Sequence, residues 1–343
     1  MIEVHLTDQA VFPWTRSAEL TWRGAPISVD GVRAFAADMS DSASTLTNLL
    51  SGTDGAFAIV VSHGETIAAA VDRVRSFPLF YAEGSGRFYL SDDPLWVGEK
   101  CGSLDLDDLA RTELQLAGFV TGPDTLLTSV RQLRPGEKLQ FDDRTGRLTV
   151  SRYFEFRHPA ADDRTDDDWC DVLDEMHREV FGRLIAGLDG RPIALPLSGG
   201  FDSRLTAWML KRLSYDNVIC FTYGKRDNWE SSVSRQVADR LGFRWVNLPD
   251  SYYAWRRFFG TDERFRYYQF AGRMVSLPHM QDFLAVRQLR DEHLIPEDAV
   301  FVPGHSGDFV AGSHIPAVFD SPKITRRELL DQIYRDHYWL WSR

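Results

Sequence analysis

Cysteine is scarce in this 343-residue chain: Cys101, Cys170 and Cys220 stand far apart and form no Cys-x-x-Cys pair. That spacing excludes a disulfide framework and a cysteine-based zinc site, and reads as reduced thiols in a cytoplasmic protein. A basic surface is also lacking. The 39 Lys and Arg are outnumbered by 50 Asp and Glu, and the net charge of −11 has the wrong sign for a nucleic-acid partner. The apolar stretch from Ala56 to Val61 is far too short to span a bilayer, so no membrane role is expected. Met1-Ile-Glu-Val-His-Leu6 has no basic segment ahead of an apolar one, and no secretory leader is expected. Internal repeats and low-complexity tracts are missing too. What remains is an ordinary globular composition, 43% hydrophobic and 26% charged, in a chain long enough for two domains.

The most informative stretch is Ile193-Ala-Leu-Pro-Leu-Ser-Gly-Gly-Phe-Asp-Ser-Arg-Leu205. Apolar residues run up to Leu197, Ser198-Gly199-Gly200 turns the backbone, and Leu205 to Leu213 has helical spacing. Strand, turn and helix in that order aim several backbone N–H groups, and the positive end of the helix dipole, at one point suited to phosphate oxygens. Adjacent glycines let the backbone approach an anion with no Cβ in the way. Ser198 and Ser203 offer hydroxyl donors, and Asp202 offers a carboxylate for Mg²⁺. No Gly-Lys-Ser/Thr follows the glycines, so this is not a Walker A loop. The plain alternative is a glycine turn joining a core strand to a core helix.

The run Ser198-Gly-Gly-Phe-Asp-Ser203 resembles the Ser-Gly-Gly-x-Asp-Ser signature of the PP-loop ATP pyrophosphatases. That resemblance implies cleavage of ATP between its α and β phosphates, giving an adenylated acceptor and pyrophosphate. From Arg191 onward strand and helix patterns alternate: Val218 to Tyr223, a helix from Glu230 to Leu241, then Arg244 to Leu248. Such units imply a parallel sheet with helices on both sides and ligands at the carboxyl ends of the strands. The resemblance places Thr222 and Tyr223 beside the adenine and lets Leu197 cover the adenosine. Packing of Tyr223 on the sheet edge is the alternative.

A second apolar strand ends in a glycine turn at Ala299-Val-Phe-Val-Pro-Gly-His-Ser-Gly-Asp308. It resembles the family's second phosphate loop, Ser-Gly-Glu-Gly-x-Asp-Glu, with Gly304 and Asp308 matching and Ser306 added as a nucleotide contact. Asp308 would then hold a second Mg²⁺ opposite Asp202, on the departing pyrophosphate. His305 and Phe309 replace the family's two glutamates. A histidine there donates to phosphate or acts as a base near neutral pH, or else marks a site that has lost its chemistry. His305 and Asp308 are the catalytic candidates, ATP and Mg²⁺ the expected cofactors. Arg273 is either a clamp for an acceptor carboxylate or a solvent-facing side chain.

The first 50 residues fit no clear pattern; beyond them the chain reads as β-rich, with a helix expected from Asp105 to Ala117. Gly55-Ala-Phe-Ala-Ile-Val60, Asp72-Arg73, Pro78-Leu-Phe-Tyr81, Leu133-Arg-Pro-Gly-Glu137 and Tyr153-Phe-Glu155 come in the order of the glutaminase half of asparagine synthetase, which they resemble. The implied fold is an αββα sandwich of the N-terminal-nucleophile (Ntn) hydrolase type. That glutaminase needs a cysteine directly after the initiator methionine. Ile2 stands here, and the Asn-Gly-Glu segment is absent, so the domain reads as a non-hydrolysing remnant. Asp72 and Arg73 read as an ion pair in preference to relics of glutamine handling.

The expected organisation is an α/β protein with a degenerate amidotransferase-like domain at 1–156 and a linker at 157–168. A doubly wound parallel-sheet PP-loop domain follows at 169–343. A helix starting near Trp169 should bury Val172, Met176, Val180 and Leu184, and a helix from Arg326 to Arg343 should close a domain cut short relative to the family. The resemblance implies an amide-bond-forming ligase that activates a small-molecule carboxylate with release of AMP and pyrophosphate, using ammonia or an amine as nitrogen donor. It leaves open a separate nitrogen-donor protein or a homo-oligomer as partner. The alternative is a catalytically silent, nucleotide-binding scaffold. Thiolation of tRNA and NAD synthesis by the same loop fit less well.

Overall fold

The computed structural model describes residues 1–8, 12–17, 19–24, 43–157, 163–225, 228–305, 307 and 323–340. Ser306, Asp308, Phe309 and Trp341 therefore lie outside the described residues. The chain divides into two units. One comprises Met1–His158, Arg266–Pro278 and Leu330–Arg343, and the other Pro159–Phe265 and His279–Leu329. The expectation that all of 169–343 forms one domain is corrected for two segments. Val120 N–H donates to Val275 O, Leu126 N–H to Met274 O, Leu277 N–H to Gly118 O and Leu340 N–H to Leu116 O, all at 2.7–2.8 Å. Those backbone bonds hold 266–278 and 330–343 to the first unit.

The first unit contains β1 (Ile2–His5), β2 (Thr15–Arg16), β3 (Leu20–Gly24), α1 (Ala43–Ser51), β4 (Phe57–His63), β5 (Thr66–Val71), β6 (Phe80–Gly84), β7 (Arg87–Ser91), α2 (Pro94–Cys101), α3 (Asp108–Ala117), β8 (Arg131–Gln132), β9 (Glu137–Asp142) and β10 (Arg147–Arg152). They form a four-stranded sheet, β1-β7-β6-β8, and a six-stranded sheet, β10-β9-β5-β4-β3-β2. Alternation along β4 and β5 sends Ala58, Val60, Ile67 and Ala69 to one core, where Tyr81, Phe88 and Leu90 of the other sheet meet them. Phe57, Ile59, Val61, Ala68 and Ala70 point the opposite way and pack with Leu49 and Leu50 of α1. The far face of the smaller sheet, Phe80, Ala82 and Tyr89, is covered by Val97 of α2. The layers thus run helix, sheet, sheet, helix.

Two local readings are corrected here. The helix read from Asp105 is capped by Asp107, whose carboxylate accepts from Ala110 N–H, and α2 precedes it with Asp93 as cap. Asp72 and Arg73 make no ion pair. The Asp72 carboxylate is buried and accepts N–H groups from Phe57 (3.0 Å), Val74 (2.9 Å) and Ser76 (2.9 Å). Arg73 turns to Asp54 at 3.6 Å and lies over the Phe154 ring.

The second unit is built from α4 (Asp166–Leu188), β11 (Ile193–Pro196), α5 (Phe201–Arg212), β12 (Val218–Gly224), α6 (Trp229–Leu241), β13 (Arg244–Pro249), α7 (Tyr252–Phe259), the start of α8 (Asp262–Gly272), α9 (Phe283–Asp291), β14 (Val300–Phe301) and the start of α10 (Arg326–His337). Its four strands are all parallel, in the order β13-β12-β11-β14. Ile193, Leu195 and Cys220 face a core shared with Leu188, Ala207, Leu210 and Ala238 of α4, α5 and α6. Ala194 and Phe221 face the other side, against Ala285 and Leu289 of α9. Helices on both faces leave only the strand ends for ligands.

The helix α4 differs from its sequence reading at both ends. Thr165 is the cap, in a reciprocal box with Asp168, so Asp166–Asp168 form the first helical turn and do not belong to a linker. Val172, Met176 and Val180 are exposed, at 40%, 40% and 45%. Core contact comes from Phe181, Leu184, Ile185 and Leu188, a face formed only by the last two turns. The closing helix α10 ends at His337, short of the expected Arg343. Among the described residues no helix is long and apolar enough to cross a membrane.

The three thiols are unequally placed. Cys170 is exposed, whereas burial pushes the Cys220 thiol up to about 12. Because the thiolate is the reactive form, a disulfide reagent at pH 8 should label Cys170 rapidly in the native protein and reach Cys220 only after unfolding. Quantitative labelling with peptide mapping checks this.

Candidate functional site

The cleft of interest opens at the carboxyl ends of β11 and β12. After Pro196 the chain turns through Ser198–Gly200 into α5, and the turn is held by its own hydroxyls. Ser198 N–H donates to Ser203 Oγ at 3.1 Å, the two Oγ atoms lie 3.1 Å apart, and Gly200 N–H donates to Ser198 Oγ at 3.1 Å. Gly200 is the N-cap of α5 and gives its first turn no side-chain acceptor. That end therefore offers amide donors without a side-chain cap, and partial positive charge. Gly199 has a steric reason: a Cβ there would lie 2.5 Å from the Trp229 ring at the start of α6.

The second turn comes to the first. A Cβ on Gly304 would stand 2.7 Å from the backbone N of Ser203, and one on Gly307 would stand 2.4 Å from Asp202 Cγ. The order β11-β14 explains the meeting, since the two strands are neighbours and both turns leave from carboxyl ends. The chain reverses its direction across the sheet between them, the place where open α/β sheets seat their ligands. Together the two turns line a cavity of about 310 Å³ with Ser198, Asp202, Thr222, Tyr223, Gly304 and His305.

The adenine-side candidates are placed by β12. Its ladder with β11 ends at Pro196 opposite Phe221, whereas its ladder with β13 runs on to Gly224. The β11-facing backbone of Thr222 and Tyr223 is thereby left to the cleft. Leu197 borders the cleft but is itself buried in the sheet core. Tyr223 does more than pack on an edge: its hydroxyl donates to Asp282 Oδ1. Burial first, and then the Asp282 carboxylate, push that hydroxyl above the ordinary tyrosine range, which keeps it a donor.

Of the sequence candidates, Leu197, Ser198, Gly199, Gly200, Asp202, Ser203, Thr222, Tyr223, Gly304 and His305 fall around this one region. Ser306 and Asp308 are outside the described residues. Arg273 groups with the first unit, where it is half-buried and donates to Asp92 O at 3.0 Å. Sequence reasoning missed His279, Gln281 and Asp282. His279 Nε2 lies 3.6 Å from Asp282 Oδ2, and its ring meets that of His305 at 5.6 Å between centroids. The spacing His279-x-x-Asp282 was the available signal, and only the fold adds His305.

Comparison with known proteins bears on the same region. The sequence model of the asparagine synthase family matches residues 185–250, from the end of α4 through β13. The match includes Ser198–Ser203, Thr222 and Tyr223 and stops before the second turn. No curated protein matches the chain. Among solved structures, a predicted subunit of tRNA methyltransferase from Methanocaldococcus jannaschii is similar at 19% identity and a TM-score of 0.22, over 43% of this chain and 65% of that one. Glutamine phosphoribosylpyrophosphate amidotransferase from B. subtilis, complexed with ADP and GMP, is similar at 12% identity and a TM-score of 0.24, over 74% and 53%. The chain thus spans less than two thirds of the length of these solved chains, and TM-scores this low carry no argument about fold. The family match rests on the strand–turn–helix units around Ser198.

Proposed function

We propose that the second unit binds ATP with Mg²⁺ and adenylates a small-molecule carboxylate with release of pyrophosphate, and that ammonia or an amine then displaces AMP to form an amide. The observation that carries this reading is the approach of the two turns, with Gly304 against Ser203 and Gly307 against Asp202. The missing Cβ of Gly304 lets the second turn close on the backbone of Ser203, so both turns meet at one uncapped helix end, which fits a chain of phosphates. When bound, ATP and Mg²⁺ supply an electrophilic α-phosphorus and the charge that offsets its oxygens.

This chain's residues do the rest. Ser198, Ser203 and the first amides of α5 hold phosphate oxygens, and Asp202 holds a metal ion against them. The open backbone of Thr222 and Tyr223 reads the adenine edge, and Leu197 supports the adenosine. His305 stands where the resemblance has a glutamate and donates to the phosphate that leaves. Asp308 and Ser306 keep the metal and nucleotide roles read from the sequence. The first unit, whose layers run helix, sheet, sheet, helix, is read as an Ntn-type remnant. Nitrogen comes from free ammonia, an amine or a separate donor protein.

The second reading, a silent nucleotide-binding scaffold, is favoured by His305 in place of a carboxylate. Exchange of labelled pyrophosphate into ATP, screened over small carboxylic acids, separates the two. Acceptor-dependent exchange that Ser203→Ala lowers by roughly 10²-fold is the expected result. ATP binding without exchange under any acceptor would support the scaffold.

A further inference from the structure

We propose that His279, Asp282 and His305 bind one divalent transition-metal ion, of which zinc(II) is the probe, with an open coordination position facing the cleft. One ligand atom from each residue lies within 4.8 Å of the other two. Metal–ligand bonds of about 2.1 Å in tetrahedral array separate ligand atoms by about 3.4 Å. The His279–Asp282 distance of 3.6 Å already meets that requirement, and the wider separations close by rotation of two exposed imidazoles. Two imidazoles and one carboxylate suit zinc and neighbouring transition metals over magnesium and calcium, which prefer all-oxygen sets.

Two further observations set the cluster apart from a surface ion pair. Asp282 occupies the N-cap of α9, where its carboxylate could accept the helix's own amides, yet it makes no capping hydrogen bond. Instead Oδ1 accepts from Tyr223 and Oδ2 faces His279. A hydroxyl that fixes one carboxylate oxygen and leaves the other to a ligand is the usual outer support of a metal site. An ion pair would also explain only two of the three residues. His305 arrives from the turn after β14, with its ring edge-on to His279 at 72°. Because His305 and Gln281 also border the cleft, the fourth position opens on it. Binding of the ion does not depend on the nucleotide reading.

The test uses the full chain carrying Cys170→Ser, stripped with chelator and titrated with zinc(II) alone, without nucleotide. Metal content after dialysis and competition with a chromogenic chelator give stoichiometry and affinity. One ion per chain is expected, with affinity reduced tenfold or more by His279→Ala and by His305→Ala, and unchanged by His293→Ala. Cobalt(II) should give the visible bands of a low-symmetry nitrogen and oxygen site, shifted in Tyr223→Phe. Uptake that persists in the His279→Ala/His305→Ala double variant, or no stoichiometric uptake by the parent, overturns the proposal. Circular dichroism and metal-free melting of each variant separate lost ligands from lost folding. Failure of the protein to bind ATP would leave this result untouched.

Discussion

Replacing Gly304 by valine is expected to lower ATP affinity in the presence of Mg²⁺ by roughly tenfold to a hundredfold, since overpacking a close contact costs about 1–3 kcal/mol. The reason is local. A Cβ at this position would lie 2.7 Å from Ser203 N, 3.0 Å from Ser203 Cα and 3.1 Å from Asp202 C. All three are backbone atoms of the first turn and of α5, so no side chain can rotate aside. The second turn must back away, taking His305 off the cleft and separating Gly307 from Asp202. Titration with a fluorescent ATP analogue reads the loss, and far-UV circular dichroism confirms that the sheet survives. Unchanged affinity would mean that the two turns do not share one ligand, and the nucleotide reading would fall with it.

Asp72→Ala is expected to destabilise the first unit by roughly 3–5 kcal/mol, the scale of stranding several backbone donors in a buried place. Phe57, Val74 and Ser76 would each lose the acceptor of an N–H group at 2.9–3.0 Å. Arg75 adds to the loss. Burial already pulls its guanidinium down to about 10, and Asp72 is the charge that opposes the shift. Removing Asp72 leaves that cation uncompensated. Urea unfolding followed by tryptophan emission measures the change, and Asp72→Asn should recover part of it because an amide oxygen still accepts. A loss below about 1 kcal/mol would show that water reaches these amides on its own.

These two positions also show what could be read without coordinates. The Ser198–Ser203 turn was legible because its strand, glycines and helix are contiguous, and local order fixes where its amides point. Its meeting with Gly304 was legible only through the resemblance of two separate turns to one family. The role of Asp72 was invisible, since its partners are backbone amides that carry no residue identity. The apolar positions Val172, Met176 and Val180 fit a helical period, but periodicity does not tell which turns of a long helix have a neighbour. Nor could spacing show that His305 joins His279 and Asp282. The strands β1 to β3 escaped notice because each is short and carries two polar residues.

The pairing of β11 with β14 has a consequence for how the protein is made. Ser198 and Gly304 are about a hundred residues apart, and their strands are joined by only two register pairs, Ile193 with Val300 and Ala194 with Phe301. Contacts of such long range form late, after the entropy of closing the intervening loop has been met. A growing chain can therefore assemble β11, β12 and β13 from neighbouring segments while the cleft still lacks one wall. Any small molecule that bridges both turns recognises only the finished arrangement and holds it closed. At a hundredfold excess over its dissociation constant it would add about 2.7 kcal/mol to the folded state.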